Sequence, residues 1–510
     1  MNVYKEFARR VRETPSSTAI VRPDASDLSF RDIDERAKQV AAWLDSRGYG
    51  ADDRIAVYLP DRPPYLPVLL GIWRAGCVAT PVNTRFGMDE LDYTLNDVRP
   101  SALLTSNAYD GDTSSIVERV ATLSRDDVLE IERDGELAAD LLPPAEVAPT
   151  PAKKLDEDIL EIMYTSGSTG RPKGVIHTHR NLSAQLSAEI DLFGHATGTT
   201  SIVPLPLFHV GGLQGIALPS LFAGGSILVQ EEWDPVRWAE LVETTGATFA
   251  GFIPTLIVDL VNSEEARSHD TSSLDLCFYG GAPAAKTVLE EFKEAFDVDA
   301  LMNYYGQTEV TGLSVTTSPD LSPEPGLIGT ATPAVRTRVV DLESRRDARP
   351  GEPGELLVKG DVVTPGYWNR SDVNQAYFTD GWLHTDDVVR EDEDGYLHYV
   401  DRADDMIITG GENVAPSAVE NALSGMPDID AVAVLGTPHE RWGEAVTAVI
   451  VPATNELTEG DVLTFWEENI DLAGYQKPRN IFFVDEFPRT ASQKIDKNTL
   501  AGRVTSDENR

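Results

Sequence analysis

Tyr164-Thr-Ser-Gly-Ser-Thr-Gly-Arg-Pro-Lys-Gly-Val175 is the stretch on which the reading of this chain turns. An apolar run, Ile159-Leu-Glu-Ile-Met163, precedes it and Val175-Ile-His-Thr-His179 follows, and both are predicted strands. Glycine mixed with Ser and Thr lets the backbone turn tightly and aim N–H and hydroxyl donors at phosphate oxygens, and Lys173 adds a point charge. It is not a Walker A loop, because no Gly-Lys-Ser/Thr closes a four-residue gap from the first glycine. His177 and His179 are expected in the second strand, with no nearby acid to complete a metal pair.

Around this loop, short apolar strands alternate with helical patterns. Arg54-Ile-Ala-Val-Tyr-Leu59, Ala102-Leu-Leu-Thr105, Ile202-Val-Pro-Leu205, Ser226-Ile-Leu-Val229 and Ala247-Thr-Phe-Ala250 read as strands. Helices are expected over 28–37, from Pro64, over 212–222 and from Pro235. Strands joined by helical crossovers imply largely parallel sheets covered on both faces. Residues 141–154 dissolve into Pro, Ala and acid, as a surface connection does. Beyond Gly329 the texture turns β-rich, and beyond Asp404 a smaller α+β unit follows. The expected fold class is α/β. A large domain over 1–403 holds two helix-flanked, largely parallel sheets and a β-rich subdomain; a small mobile α+β domain spans 404–510.

At 510 residues, with 41% hydrophobic and 25% charged side chains, the chain can fill more than one ordinary core. Its charge is unusual: 84 acidic against 43 basic residues leave a net −41, and only eleven of the cations are lysine. Such a field repels nucleic acid and anionic membranes and suits a protein kept soluble in concentrated salt, where screening is nearly complete. Cys77 and Cys277 fit neither a metal spacing nor a disulfide framework, so reduced buried thiols in a cytoplasmic protein are expected. The apolar stretches 66–81 and 212–229 are broken by Arg74, and by Gln214 and Pro219, so no stable membrane insertion is expected.

Further motifs follow in order: Pro206-Leu-Phe-His-Val-Gly-Gly212, Gly280-Gly-Ala-Pro283, Tyr304-Tyr-Gly-Gln-Thr-Glu309, Gly381-Trp-Leu-His-Thr-Asp-Asp387, Asp401-Arg-Ala-Asp-Asp-Met-Ile-Ile-Thr-Gly-Gly411 and Pro488-Arg-Thr-Ala-Ser-Gln-Lys494. Singly, each is a turn, a cap or a solvated charge. Together and in this order they make the chain resemble the adenylate-forming superfamily, which groups acyl-CoA synthetases with luciferases and peptide-synthetase adenylation domains.

The resemblance implies a phosphate loop over Thr165, Ser166, Gly167, Ser168, Thr169 and Gly170, with Lys173. It puts Gly281, Ala282, Pro283 and Tyr305 against adenine, Gly306 in the nucleotide site, Thr308 on the α-phosphate and Glu309 on Mg²⁺. Asp387 takes the ribose hydroxyls, with Asp386 where the family has glycine; Arg402 contacts ATP, and Asp404 is the hinge. Gly410 and Gly411 line the CoA tunnel, and Lys494, after Gln493 in another glycine position, is the catalytic lysine. His209, Phe252 and Val310 are implied in the acyl pocket.

The reaction implied is AMP transfer from ATP to a carboxylate with release of pyrophosphate, then attack by the CoA thiol. The expected acids are medium or long fatty acids, with an aryl or succinylbenzoate-type acid as alternative. An inactive nucleotide-binding protein and a P-loop ATPase are the readings from other classes. The partners expected are a small carboxylate, ATP and CoA, without nucleic acid; a homodimer is left open.

Overall fold

The computed structural model describes residues 3–133, 135–165, 171–342, 344–439, 441–454, 456–470, 472–488 and 495–507. The chain packs as two compact units, Met1–Thr337 with Val358–Leu383, and Arg338–Leu357 with His384–Arg510.

In the first unit one sheet runs, in spatial order, Glu136–Leu137, Val128–Arg133, Ala102–Ser106, Arg54–Tyr58, Val78–Pro81, Ile159–Thr165 and Lys173–Thr178. Its inner pairings are parallel, and the last two strands form an antiparallel hairpin. A second sheet sets Thr18–Ile20, Ser226–Val229, Thr200–Val203, Phe249–Phe252, Leu276–Gly280 and Ala300–Gln307 side by side, all parallel. Gly312–Thr316 and Leu327–Ala331 then continue it antiparallel. The inner strands, such as Ala102–Ser106 and Phe249–Phe252, are buried on both faces, which is why they read as apolar runs.

The helix Phe30–Ser46 begins at Ser29, whose hydroxyl accepts from Asp32 N while the Asp32 carboxylate accepts from Ser29 N. It buries Ile33, Ala37, Val40 and Leu44, a helical stripe, against the helix Tyr65–Ala75. The helix expected over 212–222 runs from Val210 to Ala223 with a π-turn at Leu213–Ala217, followed closely by Pro219, which brings no N–H. Among the described residues no helix is long and apolar enough to cross a membrane. Both cysteines are buried and unpaired, and burial pushes the Cys77 thiol up to about 12.

Two element boundaries differ notably from expectation. Leu28–Ser29 form a short strand antiparallel to Thr18–Ile20, so the helix expected from 28 starts at Phe30. His179 opens the helix His179–Phe193 rather than ending a strand. Thr178 caps that helix through Asn181 N, and Asn181 Oδ1 accepts from Thr178 N at 2.9 Å, so the chain turns there.

The second unit centres on a sheet of Glu412–Val414, Ile407–Thr409, Gly443–Pro452 and Ile429–His439, with Asn480–Phe483 parallel to Gly443–Pro452. Strand alternation fills both faces. Val434, Val446, Ala448 and Ile450 pack with Val419, Leu423 and Trp466, while Ala433, Leu435 and Val449 pack with Leu500 and Val504.

Candidate active site

The hairpin Ile159–Thr165/Lys173–Thr178 pairs Thr165 with Lys173 and Glu161 with His177, so these four side chains share one face. Ser166, Gly167, Ser168, Thr169 and Gly170 lie outside the described residues. The Lys173 ammonium stands 4.9 Å from the ring centroids of both Tyr367 and Tyr377, and these rings meet edge to face at 5.8 Å. The Tyr367 hydroxyl donates to Glu309 Oε1 at 2.8 Å. Backbone bonds hold this bridge in place: Trp368 N to Gly174 O at 2.7 Å, Ile176 N to Gly366 O at 3.1 Å, and Thr364 N to Glu309 O at 2.8 Å. Lys173, Thr308 and Glu309 are thereby drawn into one neighbourhood at the hairpin's loop end.

The residues expected against adenine converge through the second sheet. Gly280 pairs with Tyr304, so Gly281, Ala282 and Pro283 leave their strand beside Tyr305 and lie exposed. Gly281 has φ +81°. At Gly306 a Cβ would come 1.7 Å from the Gly312 carbonyl oxygen, so only glycine permits this approach of the two strands. Val310 is buried at the end of the short helical turn Thr308–Val310.

The three expected acyl-pocket residues have different surroundings. His209 is exposed and caps the helix at Val210, its Nδ1 accepting from Gly211 N at 3.1 Å. Phe252 is buried, with its ring edge-on to Trp238 and Phe292, both at 5.3 Å. Nearby in sequence to His209, Leu207 N donates to Asp61 Oδ1 at 2.7 Å, and burial pushes that carboxyl up to about 6.

In the second unit Arg402 donates to Asp387 Oδ1 at 2.9 Å and to Thr385 O at 3.2 Å, with Asp404 at 3.5 Å and Asp386 at 3.6 Å. Burial works against the guanidinium charge, but the carboxylates of Asp387, Asp404 and Asp386 outweigh it and shift its pKa upward. Asp386 has φ +57°, the left-handed backbone for which the related motif uses glycine. Gly410 and Gly411, at φ +65° and +88°, form the exposed two-residue turn of a hairpin. Lys494 lies outside the described residues.

Sequence reading missed two features. Tyr367, which ties Lys173 to Glu309, sits in a segment without a motif. Glu161, His177 and Gln214 form a buried polar cluster, and its only sequence signal was an acid at an inward position of an apolar strand.

Residues 7–368 match the family described as AMP-binding enzyme, and 418–494 its C-terminal domain. The chain is 37% identical to a feruloyl-CoA synthase of an Amycolatopsis species over 499 residues, 97% of each chain. It is 28% identical to the long-chain-fatty-acid–CoA ligase FadD13 of Mycobacterium tuberculosis over 505 residues, 98% of each. The solved structure of ATP-bound MatB from Rhodopseudomonas palustris superposes with a TM-score of 0.89 at 30% identity, covering 99% of both chains. The chain therefore belongs to the AMP-binding enzyme family, whose α/β architecture it shares. It is an ATP-dependent, AMP-forming acid–thiol ligase of the acyl- or aryl-CoA type.

Proposed function

We propose that the chain activates an aromatic carboxylic acid as its CoA thioester. In the first step a carboxylate oxygen attacks the α-phosphorus, the bond to the β-phosphate breaks and pyrophosphate leaves. In the second the CoA sulfur attacks the acyl carbon and AMP leaves. The first step brings an anion onto an anion, so the site must offset charge and hold the atoms in line.

The observation that carries the assignment is the link from Lys173 through Tyr367 to Glu309, which gathers a cation and a carboxylate at the end of the hairpin Ile159–Thr165/Lys173–Thr178. Thr165 to Gly170 and Lys173 take the phosphates, and Thr308 takes the α-phosphate. Gly281 to Pro283 and Tyr305 take adenine, with Gly306 in the nucleotide site, and Asp387 with Arg402 takes the ribose. Glu309, half-buried and fixed by the Tyr367 hydroxyl, offers one carboxylate that with substrate oxygens fits Mg²⁺. Bound there, Mg²⁺ would neutralise phosphate charge. Lys494 as second cation, Asp404 as hinge between 1–403 and 404–510, Gly410 and Gly411 toward CoA, and His209, Phe252 and Val310 toward the acyl group complete the proposal.

One observation supports the aryl acid: identity is higher to the feruloyl-CoA synthase than to the fatty-acid ligase. The fatty-acid reading keeps the support of the FadD13 relation over 98% of both chains. Pyrophosphate release across hydroxycinnamic, benzoic and medium- to long-chain fatty acids, in molar KCl with and without CoA, separates the two. Higher kcat/KM for fatty acids overturns the aryl proposal, and no release with any acid returns the inactive alternative.

A further inference from the structure

His177 is fully buried and lies four residues beyond Lys173 on the same face of one strand. Its Nε2 is 2.7 Å from the Thr308 carbonyl oxygen. A carbonyl can only accept, so this nitrogen carries the proton. Its Nδ1 lies 3.0 Å from Oε1 of Glu161, the residue directly opposite in the hairpin, which is also fully buried. Gln214, in the π-turn of the helix from Val210, brings its Nε2 to the same Glu161 oxygen and to 3.2 Å from Nδ1. The ring is thus clamped from one side and presents a single N–H from the other.

The receiving carbonyl closes a functional turn. Thr308 O also accepts from Thr311 N at 3.0 Å, so its two lone pairs are both used, one within the turn and one by His177. The neighbouring strand residue, Ile176, reinforces the same turn: its carbonyl accepts from the Thr364 hydroxyl, and Thr364 N holds Glu309 O. A polar cluster buried in an apolar core is costly unless its members are hydrogen-bonded. Here Gln214 Nε2 lies 3.6 Å from Met163 Sδ, and the shorter bond out of the cluster, from His177, ends on the backbone between Gln307 and Glu309.

We propose that His177, oriented by Glu161 and Gln214, is a positioning residue that aims the Thr308–Glu309 turn at the phosphate and magnesium of bound nucleotide. The inference rests on the reading of Thr308 and Glu309 proposed above. It extends that reading to residues that touch no substrate.

The experiment measures dissociation constants of magnesium α,β-methylene-ATP and of adenosine by calorimetry, on the full chain. In His177→Gln the amide nitrogen reaches where Nε2 stood; in His177→Asn it stops at Nδ1. Loss of one hydrogen bond held against a buried acceptor corresponds to about tenfold. Expected is about tenfold weaker nucleotide binding in His177→Asn, recovery to within about threefold in His177→Gln, and unchanged adenosine affinity in both. Equal nucleotide affinity of the two variants, or a parallel loss for adenosine, overturns the proposal. Should these variants not fold, E161L/H177L/Q214L replaces the whole cluster with apolar side chains. Weakened nucleotide binding with adenosine retained supports positioning, and wild-type nucleotide affinity overturns it. Glu309→Gln runs alongside. If it binds magnesium nucleotide normally, the reading of Glu309 fails; if it is impaired while the two His177 variants bind alike, only the present inference fails.

Discussion

Replacing Tyr367 by Phe removes one oxygen and keeps the ring. That ring is buried, with its face 4.9 Å from the Lys173 ammonium, a contact phenylalanine preserves. What disappears is the 2.8 Å bond to Glu309 Oε1. Bonds to charged groups contribute about 1.5–3 kcal/mol, and because Glu309 is only half-buried, water restores part of the loss. The lower end, about 1.5 kcal/mol, therefore applies, which is about tenfold in rate or affinity. Glu309 is read as meeting nucleotide rather than acid, so the tenfold fall belongs in kcat/KM for magnesium ATP. The KM for the carboxylic acid stays constant. Steady-state pyrophosphate release with each substrate varied in turn measures both. A folded Tyr367→Phe enzyme with unchanged kcat/KM for magnesium ATP would refute the link from Lys173 through Tyr367 to Glu309.

His195 packs edge-on to Phe249 at 4.5 Å, and burial alone lowers its pKa to about 4. Between pH 6.5 and 4 the unfolded chain binds a proton that the native imidazole refuses, so stability falls as pH falls through that window. The loss is about 3 kcal/mol when complete. Urea unfolding at pH 7 and pH 4.5 should show a smaller acid loss for His195→Phe than for wild type, and identical losses would contradict the assignment. Asp386, at φ +57°, should accept glycine but not a β-branched residue: Asp386→Val is expected to be about 1–2 kcal/mol less stable than Asp386→Gly. Equal melting temperatures would count against strain at that position. A net charge of −41 should make the melting temperature rise steeply from 0.1 M to 2 M KCl, as the screening length shrinks from about 10 Å to about 3 Å or less. A flat salt profile would remove the salt-adapted reading.

Strand positions were legible because parallel strands buried on both faces carry unbroken apolar runs, as at Arg54–Tyr58 and Ser226–Val229. The left-handed backbone at Asp386 was not read from the sequence, although aspartate in a glycine position tolerates that conformation better than most. Nor was helix onset at His179, because the strand's apolar pattern runs straight into a Thr-x-x-Asn cap, and only the cap marks the boundary. Tyr367 escaped for a different reason. Its role depends on meeting Lys173, nearly two hundred residues away, and no local pattern encodes that meeting. Glu161 and His177 are each unremarkable along the chain and become a pair only through hairpin register, Glu161 opposite His177.

The charge inventory bears on how Lys173 and Arg402, the two cations proposed to meet nucleotide, divide their work. With 84 acidic side chains present, a lysine intended for phosphate would normally be captured by a carboxylate. Lys173 forms no ion pair among the described residues, and two tyrosine faces hold it instead. An aromatic face fixes an ammonium in place without cancelling its charge or using its N–H donors, so the full positive charge remains available to an anion. Arg402 is treated in the opposite way, with three carboxylates around one guanidinium. A cation so compensated offers little to phosphate, but it fixes the Asp387 carboxylate in direction. The uncompensated lysine therefore suits the triphosphate of the proposed reaction, and the net-negative cluster around Arg402 suits the hydroxyls of a ribose better than a phosphate.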